Sequence, residues 1–323
     1  MLGLRACFSG QRGIALLTVL LVVFLASLTA VALASLQQIA IRRSAVLLHQ
    51  QQAKLYTLGA EQWAIAILQR DRKASETDHF DESWASLPAV LTVANGKLSN
   101  KLYDLQGRFN LNSLIHIDSE TDTVSVDQQQ LKLLQGLLEK LDLDPGIAQA
   151  IADWIDPDQE ILFPDGAEDG DYMGYSPAYL TANQAFQSVT ELRLIKGVDK
   201  AIYDDLAPYV SALPETEPLN INTAPDVVLA ALTEQAAANV GSISQRRREP
   251  YDSVESFLQD TGLTEAEISP AKLSVSSRYF MLSAQAEVGD SRAMLSSVLY
   301  RPDNGRIRVV MRSFGAESFS TYK

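Results

Sequence analysis

The chain has 323 residues, a mass of 35.4 kDa and a formal net charge of −13 at pH 7. This length allows two or three modest domains. The acidic balance, with a pI near 4.7, argues against a nucleic-acid groove, because such a groove needs a basic face. The single cysteine is Cys7, so the rest of the chain has neither a disulfide nor thiol chemistry.

An uncharged apolar run extends from Ile14 to Ala34, and its only polar residues are Thr18, Ser27 and Thr29. As an α-helix at ~1.5 Å per residue, this run would span roughly 31 Å, about the thickness of a hydrocarbon core. The three hydroxyls can bond back to helix carbonyls, so they are compatible with burial in lipid. The run therefore predicts one membrane-spanning helix.

Three interpretations fit this run: a simple membrane anchor, a secretory signal cut at Ala32-Leu33-Ala34, or a prepilin leader. The run is long for a secretory signal, and the helical pattern continues beyond it. A basic leader that ends in Gly13 and is followed by Ile-Ala-Leu-Leu-Thr-Val-Leu-Leu closely resembles the type IV prepilin leader. That resemblance implies cleavage by a prepilin peptidase after Gly13 and methylation of the new N-terminus, Ile14.

The fifth residue after this cleavage position departs from the prepilin pattern. Most pilin-like proteins have Glu there, whereas this chain has Thr18. A carboxylate in a bilayer is costly unless it is paired, and the resemblance implies that its partner is the free amine of a neighbouring subunit. A subunit with Thr18 needs no such neighbour, so it suits the end of a filament. The alternative is sequence drift at one position.

The helical pattern continues past the membrane and predicts an amphipathic helix that packs on a soluble domain and ends within residues 71–81. Its apolar stripe is Leu48, Leu55, Leu58, Ile65 and Leu68. Asn95-Gly96 between two short apolar runs predicts a β-hairpin. Period-two alternation over 280–313 predicts a three-stranded antiparallel meander, whose sheet the hairpin could join.

Two similar phrases, Asn110-Leu111-Asn112 and Asn220-Ile221-Asn222, each lead into helical sequence and suggest two helical modules inside one larger frame. Thr223 is predicted to be the N-cap of the helix that follows the second phrase, with Pro225 in its first turn.

The sequence thus predicts an α+β protein in which a long N-terminal helix packs on an antiparallel sheet and a large all-α domain is inserted. The expected segments are a leader (1–13), the long helix (14–75, with 14–34 transmembrane), the first part of the α+β domain (76–112), an inserted helical domain with acidic loops (113–215), a second helical module of SAM or helix-hairpin-helix type (216–275) and C-terminal strands (276–323).

The segment from Leu141 to Leu192 contains eleven carboxylates and no Lys, Arg or His. These charges would repel one another in a compact domain, and a hard divalent cation with oxygen ligands would offset that repulsion. The segment lacks the glycine spacing of an EF-hand, and without His or Cys ligands zinc is not expected. The alternative is a solvated acidic loop. The densest group supplies the candidate ligands, which are Asp156, Asp158, Glu168, Asp169 and Asp171.

Several phrases in and after this segment occur together with the Gly13 leader and Thr18. They are Asp153-Trp154-Ile155-Asp156-Pro157-Asp158, Gly166-Ala167-Glu168-Asp169, Pro177-Ala178-Tyr179, Asn183 and Glu191-Leu192-Arg193. The combination resembles the minor pseudopilin family called type II secretion system protein K, and the resemblance covers nearly the whole mature chain.

That resemblance implies a pilin-like fold, calcium in the acidic loops and a place at the tip of the secretion pseudopilus. It also implies a single-pass inner-membrane location with the bulk of the chain in the periplasm. The implied partners are minor pseudopilins of the I, J and then H types, the major pseudopilin, the prepilin peptidase and the inner-membrane secretion platform, with no nucleic acid.

Two other classes of function compete with this interpretation. The second Asn phrase, with Arg246-Arg247-Arg248 downstream, also resembles helix-hairpin-helix DNA-binding modules, but the Gly-apolar-Gly hairpin of such modules is missing between Leu229 and Arg246. A membrane-anchored DNA receptor or another pilin-like adhesion subunit is therefore the alternative. An enzyme is not expected, because the three histidines are scattered and the sequence has neither a nucleophile elbow nor a phosphate loop.

The prepilin interpretation predicts the N-terminus of the protein recovered from membranes. Intact mass and N-terminal sequencing should show a chain that begins at Ile14 and carries one methyl group on its amine. A start at Ser35 would indicate an ordinary secretory signal, and an uncut Met1 would indicate a plain membrane anchor.

Overall fold

The computed structural model describes residues 12–117, 124–214, 217–232, 250–264 and 268–315. Its first element is α1 (Arg12–Ala74), a single helix of 63 residues that ends where the sequence predicts. This helix is long and apolar enough to cross a membrane, and its apolar window makes no burying contact with the described part of the chain. Thr18 and Ser27 satisfy their hydroxyls within the helix, by donating to the carbonyls of Ala15 and Val23.

An antiparallel sheet forms the frame against which the second half of α1 packs. Its strands lie in the order β1, β2, β9, β10 and β11. Their bounds are β1 (Val90–Val93), β2 (Gly96–Asp104), β9 (Tyr279–Val288), β10 (Ser291–Tyr300) and β11 (Arg308–Phe314). Both the predicted hairpin and the predicted C-terminal meander are confirmed, and they share one sheet as expected.

The hairpin turn explains why the sequence has Asn-Gly at this place. Val93 pairs with Gly96, and Asn95 between them has a φ of 61°, a left-handed conformation that Asn tolerates better than most residues. A Cβ on Gly96 would lie 1.8 Å from the carbonyl oxygen of Glu287 on β9. Glycine is therefore required by the close approach of the neighbouring strand.

The face of α1 that packs on the sheet differs from the predicted leucine stripe. Leu68 is buried as predicted, but Leu48 and Leu55 are 63% and 67% exposed, so the prediction is wrong for these two residues. The residues that fill the contact are mostly small: Ala53, Thr57, Ala60, Ala64 and Leu68. Small side chains let the helix axis approach the strands, and the leucines one face away remain open because the helix is apolar on more than one side.

The inserted part contains two modules, each closed by a short pair of parallel strands. In the first module β3 (Phe109–Asn110) pairs with β6 (Val210–Ser211), and in the second β7 (Leu219–Asn220) pairs with β8 (Leu273–Ser274). The other elements are β4 (Ile115–Ile117), β5 (Val124–Val126), α2 (Gln128–Lys140), α3 (Ile147–Ile155), α4 (Asp169–Tyr172), α5 (Lys200–Leu206), α6 (Asp226–Ala230) and α7 (Val254–Thr261). Residues 189–194 form a 3₁₀-helix.

The two Asn phrases have the same structural role. The Asn112 side chain accepts the Phe186 amide at 2.7 Å and donates to the Phe186 carbonyl at 3.0 Å. Asn222 makes the same two bonds to Tyr251, at 2.9 and 3.0 Å. Each second Asn therefore anchors a distant segment of its own module through backbone hydrogen bonds, which explains why the phrase occurs twice.

The prediction that Thr223 caps α6 is wrong. The N-cap is Pro225, and the hydroxyl of Thr223 donates instead to the carboxylate of Asp104 at 2.6 Å. Asp104 is buried, and its Oδ2 also accepts from Ser277 at 2.6 Å and Asn220 at 3.1 Å. Burial raises the pKa of Asp104, and the hydrogen bonds to its carboxylate act against that rise. A buried acceptor with this demand outcompetes a helix end that can be satisfied by solvent.

The packing of α1 predicts a contrast between two substitutions on the same helix. Ala64→Leu should destabilise the protein by about 1–3 kcal/mol, because the added side chain has no space between helix and sheet. Leu55→Ala should change the free energy of unfolding of the isolated subunit by less than about 0.5 kcal/mol, because Leu55 is exposed. Thermal unfolding of the detergent-solubilised chain measures both, and equal losses of stability would contradict the assigned face.

Candidate functional site

The acidic segment is organised around the end of α3. Every residue of α3 is buried, and Asp156 follows directly as its C-cap. The carboxylate of Asp153, on the last turn, accepts the backbone amides of Leu162 at 3.1 Å and Ala167 at 2.8 Å. These bonds hold the loop after α3 against the helix. A Cβ on Gly166 would lie 2.1 Å from Asp153 Oδ2, so glycine is needed where the loop crosses this carboxylate.

Three buried carboxylates meet at this point. Asp153, Asp156 and Glu168 each place one oxygen within 4.8 Å of the others. Asp156 Oδ1 and both carboxylate oxygens of Glu168 are buried without a hydrogen-bond partner. The side-chain oxygen of Asn183 is also buried and unpartnered, and the backbone amide of Asn183 donates to the carbonyl of Trp154 at 3.0 Å. The site therefore offers several oxygen acceptors for which the described residues supply no donor.

The electrostatics of the cluster favour an added positive charge or added protons. Burial, together with the repulsion of neighbouring carboxylates, raises the pKa of Asp153 to about 6, that of Asp156 to about 7 and that of Glu168 to about 8. Asp158 contributes to the rise at Asp156 and at Glu168. A divalent cation would replace this mutual repulsion with attraction.

The structure brings together some of the candidate ligands and engages others elsewhere. Asp156 and Glu168 belong to the cluster, and Asp158 lies close enough to affect both electrostatically while its carboxylate accepts the Glu160 amide at 2.7 Å. Asp169 accepts the amide and hydroxyl of Thr181, at 2.9 and 2.7 Å.

Asp171 instead pairs with Lys196 at 2.8 Å, and the hydrogen bond from Lys196 lowers the pKa of this carboxyl. The ligand assignment as a whole stays a prediction.

Asp153 is the cluster member that sequence reasoning omitted. The density of carboxylates is highest in the loops, whereas Asp153 lies in a helix whose other residues, apart from Gln149, are apolar. The pattern that could have identified it is the i, i+3 spacing of Asp153 and Asp156, which places two carboxylates on one face of a helix end.

The donor set fits a hard divalent cation such as calcium. Its unpartnered atoms are oxygens from carboxylates and one amide, and no His or Cys side chain belongs to the cluster within the described chain. Asp153, Asp156 and Glu168 would hold the ion, which would supply charge neutralisation and fix the loop after α3 to α4.

The residues predicted for processing and for the tip position lie at the start of α1. Ile14 is exposed at the beginning of the apolar stretch, and Thr18 lies one turn further, with its hydroxyl bonded to Ala15 at 2.9 Å. Of Gly13 only the helical backbone is described, and the arginines at 246–248 lie outside the described residues.

Comparison with known proteins identifies the family. Models of the family described as type II secretion system (T2SS), protein K, match residues 107–215 and 219–276. The chain is 39% identical to type II secretion system protein K of Pseudomonas aeruginosa over 95% of this chain and 93% of that protein. The chain belongs to the type II secretion system protein K family. The same-named protein of Klebsiella pneumoniae is 37% identical over 94% of this chain and 97% of its own length.

The fold of the protein K family is also found in a solved structure. The chain matches, with a TM-score of 0.73 and 27% identity, a chain of the GspK-GspI-GspJ complex from the enterotoxigenic Escherichia coli type 2 secretion system. The match covers 85% of this chain and 100% of that chain. The predicted pilin-like α+β fold with a helical insertion is thereby confirmed, and the apolar α1 identifies the chain as a membrane-anchored member of the family. The two matched segments correspond to the two inserted modules.

The acidic cluster predicts opposite effects of pH on stability and on calcium binding. The three pKa values are raised from 3.8 or 4.5 to about 6, 7 and 8, so between these limits the folded ion-free chain binds more protons than the unfolded chain. In chelator, the melting temperature should fall as pH rises through this window. Calcium affinity should rise over the same range, because calcium competes with protons for the same oxygens.

Variants of the detergent-solubilised chain test this assignment by calorimetry. Glu168→Gln should remove the part of the calcium heat that comes from the Asp153 cluster and should reduce the pH dependence in chelator. Glu160→Gln removes the same charge from an exposed position of the same loop and should leave both unchanged. Equal effects of the two substitutions would mean that general acidity, and not the buried cluster, is responsible.

Proposed function

We propose that the chain is a minor pseudopilin at the tip of the type II secretion pseudopilus, where it initiates or caps the filament and supports export of folded proteins across the outer membrane. The observation that carries this proposal is α1, an uninterrupted helix with no charged residue from Gly13 to Ile41 and with Thr18 near its start. The role is mechanical, and no catalytic step is assigned to any residue.

Thr18 makes the helix independent of a neighbour at its N-terminal end. Its hydroxyl is satisfied by the carbonyl of Ala15, within the same helix turn. A Glu at this position would have no internal partner and would need the amine of another subunit to offset its burial in an apolar environment. The end of a filament is the position at which that neighbour is missing.

The leucines that the sheet leaves open provide the surface for lateral neighbours. Leu48 and Leu55 are seven residues apart and therefore lie on one side of α1, where they extend the apolar surface beyond the membrane span. We assign this surface to the helices of I-type and J-type pseudopilins, since the solved relative is the GspK of a GspK-GspI-GspJ complex. The H-type subunit and the major pseudopilin would follow below.

The remaining assignments follow from the same proposal. Prepilin peptidase would cleave after Gly13, and the new N-terminus at Ile14 would be methylated. The chain would then cross the inner membrane once, beside the secretion platform, with its bulk in the periplasm. Calcium at the Asp153 cluster would stiffen the insertion, whose bulk would block addition of a further subunit above.

The capping argument predicts that Thr18→Glu impairs secretion. A carboxylate at the centre of a membrane helix costs about 2.5–3.5 kcal/mol on insertion scales, and nearer the helix end, at position 18, the cost is smaller. In this subunit no partner would relieve that cost. In a strain from which the gene for this chain has been deleted, the variant should restore less protein export than the unmodified chain. It should also co-purify with less of the I-type and J-type subunits.

Thr18→Val is the matched control, because valine has the same shape as threonine and carries no charge. It should restore export fully, at the same membrane level by immunoblot. Normal export by the Glu variant at that level would contradict the capping argument.

A further inference from the structure

A second carboxylate cluster lies in the frame, outside the inserted modules. Asp71 is on the last turn of α1, and Asp78 and Glu82 are in the segment between α1 and β1. Each of the three places one oxygen within 4.8 Å of the others. Asp71 and Asp78 are 6% and 1% exposed, and the Glu82 side chain is 8% exposed. No sequence pattern singles out these residues, which lie in an ordinary polar stretch.

The cluster has more negative charge than the groups that face it can neutralise. Arg301, which follows β10, donates to one oxygen of Asp71 at 3.2 Å and to one oxygen of Asp78, and its guanidinium also bonds the Ser277 carbonyl. His79 lies on the open side, with Nε2 3.7 Å from a Glu82 oxygen. With a neutral His79, three buried carboxylates and one arginine leave an excess of two negative charges.

The second observation is that two of these oxygens are buried and accept no hydrogen bond, although Glu82 Oε1 is the oxygen that His79 Nε2 approaches to 3.7 Å. Asp78 Oδ1 and Glu82 Oε1 have no hydrogen bond, although the other oxygen of each carboxylate is engaged. Asp78 Oδ2 accepts the Ser277 amide at 2.7 Å, and Glu82 Oε2 accepts from Trp84 Nε1 at 2.8 Å. The neighbouring buried carboxylate of Asp104 is different, because hydroxyl, amide and backbone donors satisfy both of its oxygens.

We propose that Asp71, Asp78 and Glu82 form a binding site for a hard divalent cation of the calcium type. The atoms that the cluster offers are carboxylate oxygens, which such cations prefer as ligands, and Asp78 Oδ1 in the same cluster is buried without a hydrogen bond. One doubly charged ion would cancel the excess that Arg301 leaves. This site is separate from the Asp153 cluster, and the inference rests on neither the tip position nor the proposed partners.

The cation would tie the end of α1 to the junction with the second module. The backbone carbonyl of Asp78 accepts a hydrogen bond from the Asn220 side chain at 3.1 Å. The backbone amide of Asp78 donates to the carbonyl of Val275 at 2.9 Å. Asn220 lies on β7 where the module begins, and Val275 follows β8 where it ends. An ion on Asp71 and Asp78 would thus fix the long helix relative to both ends of that module.

Terbium luminescence can locate the ion, because terbium replaces calcium and emits when a nearby tryptophan is excited. Trp84 is bonded to Glu82, whereas Trp154 lies beside the Asp153 cluster. The experiment therefore uses the full detergent-solubilised chain with Asp156→Asn and Glu168→Gln, which disable the acidic-loop site. We expect terbium emission that calcium displaces, and a calcium-dependent rise in melting temperature of several degrees.

Glu82→Gln added to this background should remove both the emission and the melting shift. The amide oxygen of Gln can still accept from Trp84, so the local hydrogen bonds are preserved, and Asp71→Asn provides an independent repeat. Glu76→Gln, an exposed charge in the same segment, should change neither signal. Trp84→Phe should remove the emission but keep the melting shift. Absence of emission in the background protein, or emission unaffected by both Glu82→Gln and Asp71→Asn, would overturn the site.

Discussion

The contact between α1 and the sheet is the constraint on which the rest of the structure depends. Small residues on one face of the helix let it lie close to β9 and β10, and a half-buried ion pair fixes its position. Glu61 bonds Arg312 on β11 at 2.6 Å and Ser297 on β10 at 2.6 Å. Burial acts to raise the pKa of Glu61, but these two partners hold it below its ordinary value. Because alanines and one charged pair suffice for this contact, the larger apolar residues of α1 remain available to other helices.

The insertion is built so that it closes on itself and leaves the frame intact. The chain leaves β2 at Asp104 and returns to the sheet at Tyr279, and each module in between begins and ends with strands paired in parallel. Asn112 and Asn222 each hold a distant backbone segment by the same pair of hydrogen bonds. The Asp104 carboxylate accepts hydrogen bonds from Asn220 and Thr223, at the entrance of the second module, and from Ser277, between β8 and β9. Two repeats of one local solution therefore explain how a large helical domain is accommodated between neighbouring strands.

The parts of this fold that the sequence predicts correctly are those that depend on local patterns. The Asn95-Gly96 hairpin, the C-terminal meander and the end of α1 depend on turn chemistry and periodicity over a few residues. The packing face of α1 was not predictable from the sequence, because a helix that is apolar on several sides has no single apolar stripe. The side that packs on the sheet is the one with small residues. Thr223 was misassigned for a related reason: its hydroxyl is a good cap locally, but a buried carboxylate 119 positions away competes for it. Residue density along the sequence does not reveal Asp153, which lies in a largely apolar helix, or the group of Asp71, Asp78 and Glu82, which lies in an ordinary polar stretch. Only the fold buries these carboxylates in two separate clusters.

Carboxylates occur in this chain where a cationic group or a hydrogen-bond donor can contact them. In the membrane span the described helix carries no carboxylate, and Thr18 occupies the position at which pilin-like proteins usually have one. In the soluble part carboxylates are buried in groups, where arginine, backbone amides or a cation can approach from several elements at once. Arg312 balances the charge of Glu61, whereas hydroxyl, side-chain amide and backbone donors satisfy the carboxylate of Asp104. The Asp153 and Asp71 clusters retain oxygens that neither solution satisfies. A buried carboxylate without a donor is costly in an interior of low dielectric, so these oxygens require either a proton or an ion. The fold therefore makes the stability of its insertion and of its helix junction depend on the solution around it.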